Sequence, residues 1–246
     1  MRRPFAILLL SAACCGPLWP PLRADASEFT PAQRAEIVAI MRQALKQDPS
    51  ILRDAVAALQ ADDTERSQTA SRTAIAAARD RLVSPADPIA GDPQGDVTIV
   101  EFFDTRCPYC RRMEPTMAQF LAQDKRVRLV YKDLPILGPA SLMGSKALLA
   151  AQNQGAYEPM RNAVMRLPPD TTMTQLESTA RGLGLDWPRM QRDMDDPAIQ
   201  TRLGQNLALA KTLGIQGTPA LIVGGDLIPG AVDLPDLQKI VTAARQ

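Results

Sequence analysis

Three residues beyond the apolar run Val97-Thr98-Ile99-Val100-Glu101-Phe102-Phe103, the chain carries Cys107-Pro108-Tyr109-Cys110. The run is dense in β-branched and aromatic residues and reads as a strand. The stretch from about Cys107 to Gln123 reads as a helix. Two cysteines two residues apart can close and open a small disulfide ring. A strand feeding into them and a helix leaving from them put the first sulfur beside unpaired N–H groups and the positive end of the helix dipole, which favour a thiolate. Thiol–disulfide chemistry is therefore indicated over a structural or metal-binding pair. A ring this small would add little stability through loop entropy.

The remaining pattern places this junction early in an α/β unit. A second strand, Val127–Lys132, comes after the helix. A strand–helix–strand unit of this length predicts adjacent parallel strands with a right-handed crossover. From about residue 140 to 212 the chain reads as helical, punctuated by Gly155, Pro168-Pro169, Gly182, Gly184 and Asp196-Pro197. Ala220–Val223, Gly224-Gly225 and Asp226–Ile228 read as a hairpin, and Asp233–Ala244 as a closing helix. Upstream, Thr30-Pro31 and Asp48-Pro49 are helix-start signals. Ile37, Ile40, Met41, Ala44, Leu45, Leu52, Ala55, Val56 and Leu59 recur at helical spacing. The polar, alanine-rich stretch 62–82 reads as an extended helix with little to bury. Residues 27–83 thus form an N-terminal helical arm, which would bury its apolar stripe on the parent domain or on another copy of itself. Residues 84–96, with three prolines and two glycines, read as a linker, leaving 97–246 as the main domain.

The first 26 residues read as a secretory signal: Arg2 and Arg3, an apolar core from Phe5, and the small-x-small site Ala24-Asp25-Ala26. Pro17, Pro20 and Pro21 interrupt that core and argue against a spanning helix. A periplasmic or secreted location is expected, which suits disulfide chemistry. Cys14 and Cys15 would leave with the signal; a lipidated cysteine is the minor alternative, disfavoured by Ser11. The formal net charge is +1, and loss of the signal, with three arginines and one aspartate, brings it to −1. Such a balance gives no reason to expect nucleic-acid or membrane-surface binding. The chain has no histidine, which removes the commonest general base and metal ligand together.

The order strand, CxxC, helix, strand, helical insertion, Gly217-Thr218-Pro219, hairpin, helix resembles the thioredoxin fold with a DsbA-like helical insertion. With the N-terminal arm, Asp92-Pro93-Gln94-Gly95-Asp96 and Pro135-Ile136-Leu137-Gly138-Pro139, it looks closest to the ScsC type of periplasmic DsbA-like protein. The resemblance implies that Cys107 is the nucleophile and Cys110 the resolving cysteine. It also implies a cis Thr218–Pro219 bond that presents backbone groups to substrate, and a Glu101 that transfers protons to and from Cys110. Pro108 and Tyr109 would tune the pair. Related strong oxidants often carry histidine where this chain has Tyr109, so a less oxidising couple is expected. Glu101 has a plain alternative, a strand-edge acid facing solvent or pairing with Lys132. Arg106, Arg111 and Arg112 would stabilise the thiolate or form a solvated helix face. Met113 and Met117 read as core rather than copper ligands.

The expected function is a thiol–disulfide oxidoreductase acting on unfolded or misoxidised secreted proteins, with no cofactor beyond the Cys107–Cys110 pair and no metal. Tyr109 and the arm favour a disulfide isomerase or reductase, fed by a DsbD- or ScsB-like membrane reductant. The alternative is a DsbA-like oxidase recharged by a DsbB-like oxidant. ScsC-type relatives oligomerise through such arms, some as trimers, so a homo-oligomer is expected. A Cu(I)-binding module and a non-catalytic helical scaffold are the competing classes.

Overall fold

The computed structural model describes residues 29–246; the expected signal segment, with Cys14 and Cys15, lies outside the described residues. The chain divides into two compact units after Gln60. In the first, helix α1 (Pro31–Gln47) opens with a capping box: Gln33 N–H donates to Thr30 Oγ1, and Thr30 N–H donates to Gln33 Oε1. Asp48 accepts from Ser50 N–H at the start of α2 (Ser50–Ala77). No residue of α1 is buried, and Ile40, Met41, Leu52 and Leu59 are exposed.

The second unit holds α3 (Arg79–Leu82), β1 (Ile89–Gly91), β2 (Val97–Phe103), α4 (Pro108–Gln123) and β3 (Val127–Asp133). The helical insertion comes next as α5 (Pro139–Gln152), α6 (Tyr157–Val164), α7 (Met173–Gly182), α8 (Trp187–Met194) and α9 (Pro197–Thr212). Strands β4 (Ala220–Val223) and β5 (Asp226–Pro229) and helix α10 (Leu234–Ala244) close the chain. The sheet order is β1-β3-β2-β4-β5, with β2 and β3 parallel and the other pairs antiparallel. The main unit is a thioredoxin fold with a helical insertion, as the element order predicts.

Successive strand side chains point to opposite faces. Val97, Ile99, Phe103, Leu129, Tyr131, Leu221 and Val223 therefore pack on one face, against Cys110, Met113 and Met117 of α4 and the insertion. Val100, Phe102, Val130 and Ile222 pack on the other, against Leu209 of α9 and its C-cap Leu213. Ile75, Ala78 and Leu82 join this second core. The stretch 62–82 thus has more to bury than its composition suggested. A three-residue apolar stripe is faint in a sequence rich in alanine, but it is enough to seat a helix end on a sheet.

The segment 84–96 is not a free connector. Its residues 89–91 form the edge strand β1, and Asp92 N–H donates to Val127 O at 2.8 Å. Gly91 sits at φ +73°, and a Cβ there would lie 2.4 Å from Val127 O. The prolines and glycines that suggested a linker mark an edge strand held close to its neighbour.

Candidate active site

Cys107 is the N-cap of α4, one residue ahead of the first helical position, and Pro108 begins the helix. A buried aspartate fixes the turn that delivers it. Asp104 Oδ1 accepts from Arg106 N–H at 2.8 Å, an Asx-type turn, and Oδ2 accepts from Ile136 N–H at 2.8 Å and Leu137 N–H at 3.0 Å. One carboxylate therefore ties the turn before the cysteines to the loop between β3 and α5. On the other side of the turn, α5 passes so close that a Cβ on Gly144 would lie 2.6 Å from Thr105 Oγ1.

Both cysteines are buried free thiols. The Cys107 thiol donates to Thr218 O at 3.1 Å, and the Thr218–Pro219 bond is cis. Helix α4 and the segment leading into β4 therefore converge on Cys107. Cys110, one turn further on, is fully buried, and burial pushes its thiol well above the ordinary range. The charges of Cys107 and Glu101 push the same way, while the Asp104 backbone opposes them. Cys110 thus stays protonated at neutral pH and needs a proton acceptor to act as a nucleophile.

Glu101 lies on the same sheet face as α4 and is 1% exposed. It sits on β2, between β3 and β4, so the strand-edge reading does not hold. Pairing with Lys132 is ruled out by register. Glu101 stands opposite Tyr131, and Lys132, one residue further on, points to the other face, where its Nζ meets Asp87 at 2.6 Å. The partner of Glu101 is Arg161 of α6, at 3.3 Å. Arg161 also pairs with Glu114 of α4 and lies over the rings of Phe103 (4.5 Å) and Tyr131 (4.2 Å). Burial pushes the Glu101 carboxyl up to about 7; Arg161 opposes the shift and Glu114 adds to it.

Two of the flanking arginines act as staples. Arg106 donates to Pro169 O and Leu137 O and pairs with Asp170. Arg111 donates to Thr105 O and Leu167 O. Neither forms a solvated helix face. Arg112 is exposed and stacks on Tyr109, 4.6 Å from the ring centroid. Met113 and Met117 are buried core residues. Among the described residues, no cluster of three or more His, Cys, Asp or Glu groups could hold a metal ion.

Sequence reasoning brought Cys107, Cys110, Glu101, Thr218 and Pro219 to one region but missed Asp104, Glu114 and Arg161. The signal for Arg161 was present. Tyr157, Met160, Arg161 and Val164 are the buried residues of α6, at i, i+3, i+4 and i+7. An arginine on such a face calls for a buried carboxylate.

A family model described as a DSBA-like thioredoxin domain matches residues 98–242. Among solved structures, a thioredoxin-like oxidoreductase from Silicibacter pomeroyi DSS-3 is 43% identical, covering 68% of this chain and 97% of that one at TM-score 0.66. ScsC of Proteus mirabilis, in a transitional conformation, is 30% identical, covering 88% and 97% at TM-score 0.64. Of curated proteins, a Na(+)/H(+) antiporter NhaA 3 of Salinispora tropica is 30% identical over 169 residues, 66% of this chain and 26% of that protein. The chain thus spans about a quarter of the length of that curated relative.

Proposed function

The chain belongs to the DSBA-like thioredoxin family, and on that premise we propose that it is a thiol–disulfide oxidoreductase of secreted proteins, working as a disulfide isomerase or reductase. The observation that carries this reading is the asymmetry of the pair. Cys107 sits at a helix N-cap within reach of the Thr218 carbonyl, and Cys110 is fully buried within electrostatic range of Glu101.

In the reducing direction, the Cys107 thiolate attacks one sulfur of a substrate disulfide. A Cys107–substrate disulfide forms, and the other substrate sulfur leaves as a thiolate that takes up a proton. Glu101 then accepts the Cys110 proton, and Cys110 attacks the Cys107 sulfur. The Cys107–Cys110 disulfide forms as the substrate's second thiolate is released. The substrate is reduced by two electrons and the pair is oxidised by two. Isomerisation returns the mixed disulfide to a different substrate thiolate before Cys110 attacks. Thr218 and Pro219 position the substrate backbone, and Pro108 and Tyr109 tune the pair.

The protein works in the periplasm or beyond, kept reduced by a membrane thiol donor, and assembles through its N-terminal arm, whose apolar residues are exposed. Among the described residues no helix is long and apolar enough to cross a membrane. The decisive experiment is acid quenching of intact cells, then alkylation with a mass-shifting maleimide. Predominantly reduced Cys107 and Cys110 are expected. Predominantly oxidised cysteines would reverse the direction to a DsbA-like oxidase. Stoichiometric Cu(I) retention by purified protein without disulfide exchange would replace the reading altogether.

A further inference from the structure

Beside the redox pair lies a groove of about 580 Å³, lined by Tyr109, the segment Gly214–Ala220, Leu227 and Pro229–Ala231. None of its lining residues carries a charge. Apolar and backbone walls of this kind accept an extended polypeptide without selecting among side-chain charges. At Tyr109 a charged group touches this lining. That ring is 55% exposed, and the Arg112 guanidinium stacks on it at 4.6 Å, one helical turn on from Tyr109.

The three arginines around the pair differ in what they have left to offer. Arg106 is consumed by two carbonyls and Asp170, and Arg111 by two carbonyls. Arg112 forms no ion pair among the described residues, and its contact with Tyr109 occupies one face of the guanidinium while leaving its N–H edge open. Glu114, the nearest acid in sequence, pairs with Arg161, and Asp104 is fully buried and turned inward to backbone N–H groups. At its Tyr109 end the groove therefore meets a positive charge that has no ion-pair partner among the described residues and rests on an aromatic ring.

We propose that Arg112, held on Tyr109, selects substrate polypeptides that carry an acidic side chain close to the cysteine being exchanged. The inference rests on the oxidoreductase reading and adds to it a substrate class. The carboxylate of an extended segment in the groove would meet the free edge of the guanidinium at the Tyr109 end, while its cysteine sulfur meets Cys107. A bidentate arginine–carboxylate contact suits this geometry, and the aromatic platform limits the side-chain entropy lost on forming it. An isolated lysine would not be held in this way.

The test compares three disulfide-linked model peptides, identical except for glutamate, lysine or serine flanking the cysteine on both sides, as substrates for the full chain. Wild type is expected to favour the glutamate peptide by about fivefold in kcat/KM at low salt, the factor expected of a partly exposed ion pair. Raising the ionic strength should shrink the preference. Arg112→Gln should abolish it while leaving the rate with the uncharged serine-flanked peptide within about twofold, because Arg112 contacts neither sulfur. Tyr109→Leu, which removes the platform but keeps the charge, should reduce the preference only in part. An equal preference in wild type and Arg112→Gln overturns the proposal. Failure of wild type to exchange with any of the three peptides overturns the oxidoreductase reading instead, so the two failures are distinguishable.

Discussion

Glu101 is the residue on which stability and the proposed chemistry meet. Its carboxyl, pushed up to about 7 by burial, keeps its proton in the folded chain over a range where the unfolded chain has released it. Folded protein then binds more protons than unfolded, and stability falls as pH rises from 4.5 to 7. The loss is at most about 3 kcal/mol. Glu101→Gln cannot titrate, so urea unfolding between these pH values should show a flatter slope than wild type. Asp133, pushed up to about 6 by burial, leaves a residual slope of the same sign. The same variant should slow release of a substrate from its Cys107 mixed disulfide by about 100-fold at neutral pH, measured in a single turnover. An unchanged rate would remove Glu101 from proton transfer. The strand pattern made Glu101 conspicuous, since a carboxylate in an apolar run needs a use. What the sequence could not give was its partner. Arg161 lies 60 positions away on another element, and only the packing of α6 against β2 and α4 brings the three charges together.

At the scale of elements, the redox turn is defined less by the helix it starts than by what presses on it. Gly144 on α5 leaves no room for a methyl group beside Thr105. Thr105 is buried and β-branched, so it cannot swing aside as a long flexible side chain would. Gly144→Ala should cost about 1–3 kcal/mol in chemical denaturation. It should also change the alkylation rate of Cys107, because the turn must shift to relieve the contact. Loss of stability without any change at Cys107 would mean that α5 gives way instead. The parallel pairing of β2 with β3, the insertion and the closing hairpin were legible because each rests on local periodicity and turn chemistry. The close approach of α5 was not, since a glycine inside a helix reads as a local weakness until its neighbour is known. Edge strand β1 was obscured in the same way: prolines and glycines serve both connectors and sheet edges, and only pairing with β3 separates them.

For the whole molecule, the N-terminal arm carries the proposed assembly. Helix α1 buries none of its residues, and Ile40, Met41, Leu52 and Leu59 are exposed at helical spacing. An apolar stripe of this extent is normally covered in solution. Light scattering of the chain from Ser27 onward should give a mass of more than one protomer. Replacing Ile40, Leu52 and Leu59 together by glutamate should return it to one, with peptide exchange at the redox pair retained. A monomeric wild type would remove assembly from the function.

The position of Arg161 has a further consequence. Insertions in folds of this kind invite treatment as interchangeable cassettes, swapped between relatives to alter substrate range. Here α6, inside the insertion, supplies the counter-charge for a carboxylate of the central strand. Replacing residues 139–212 with a foreign insertion would strand Glu101 in the interior, and leave the half-buried Glu114 unpaired, unless the graft brought its own cation to the same spot. The framework and its insertion are bound by a shared electrostatic debt, and they can be exchanged only as a pair.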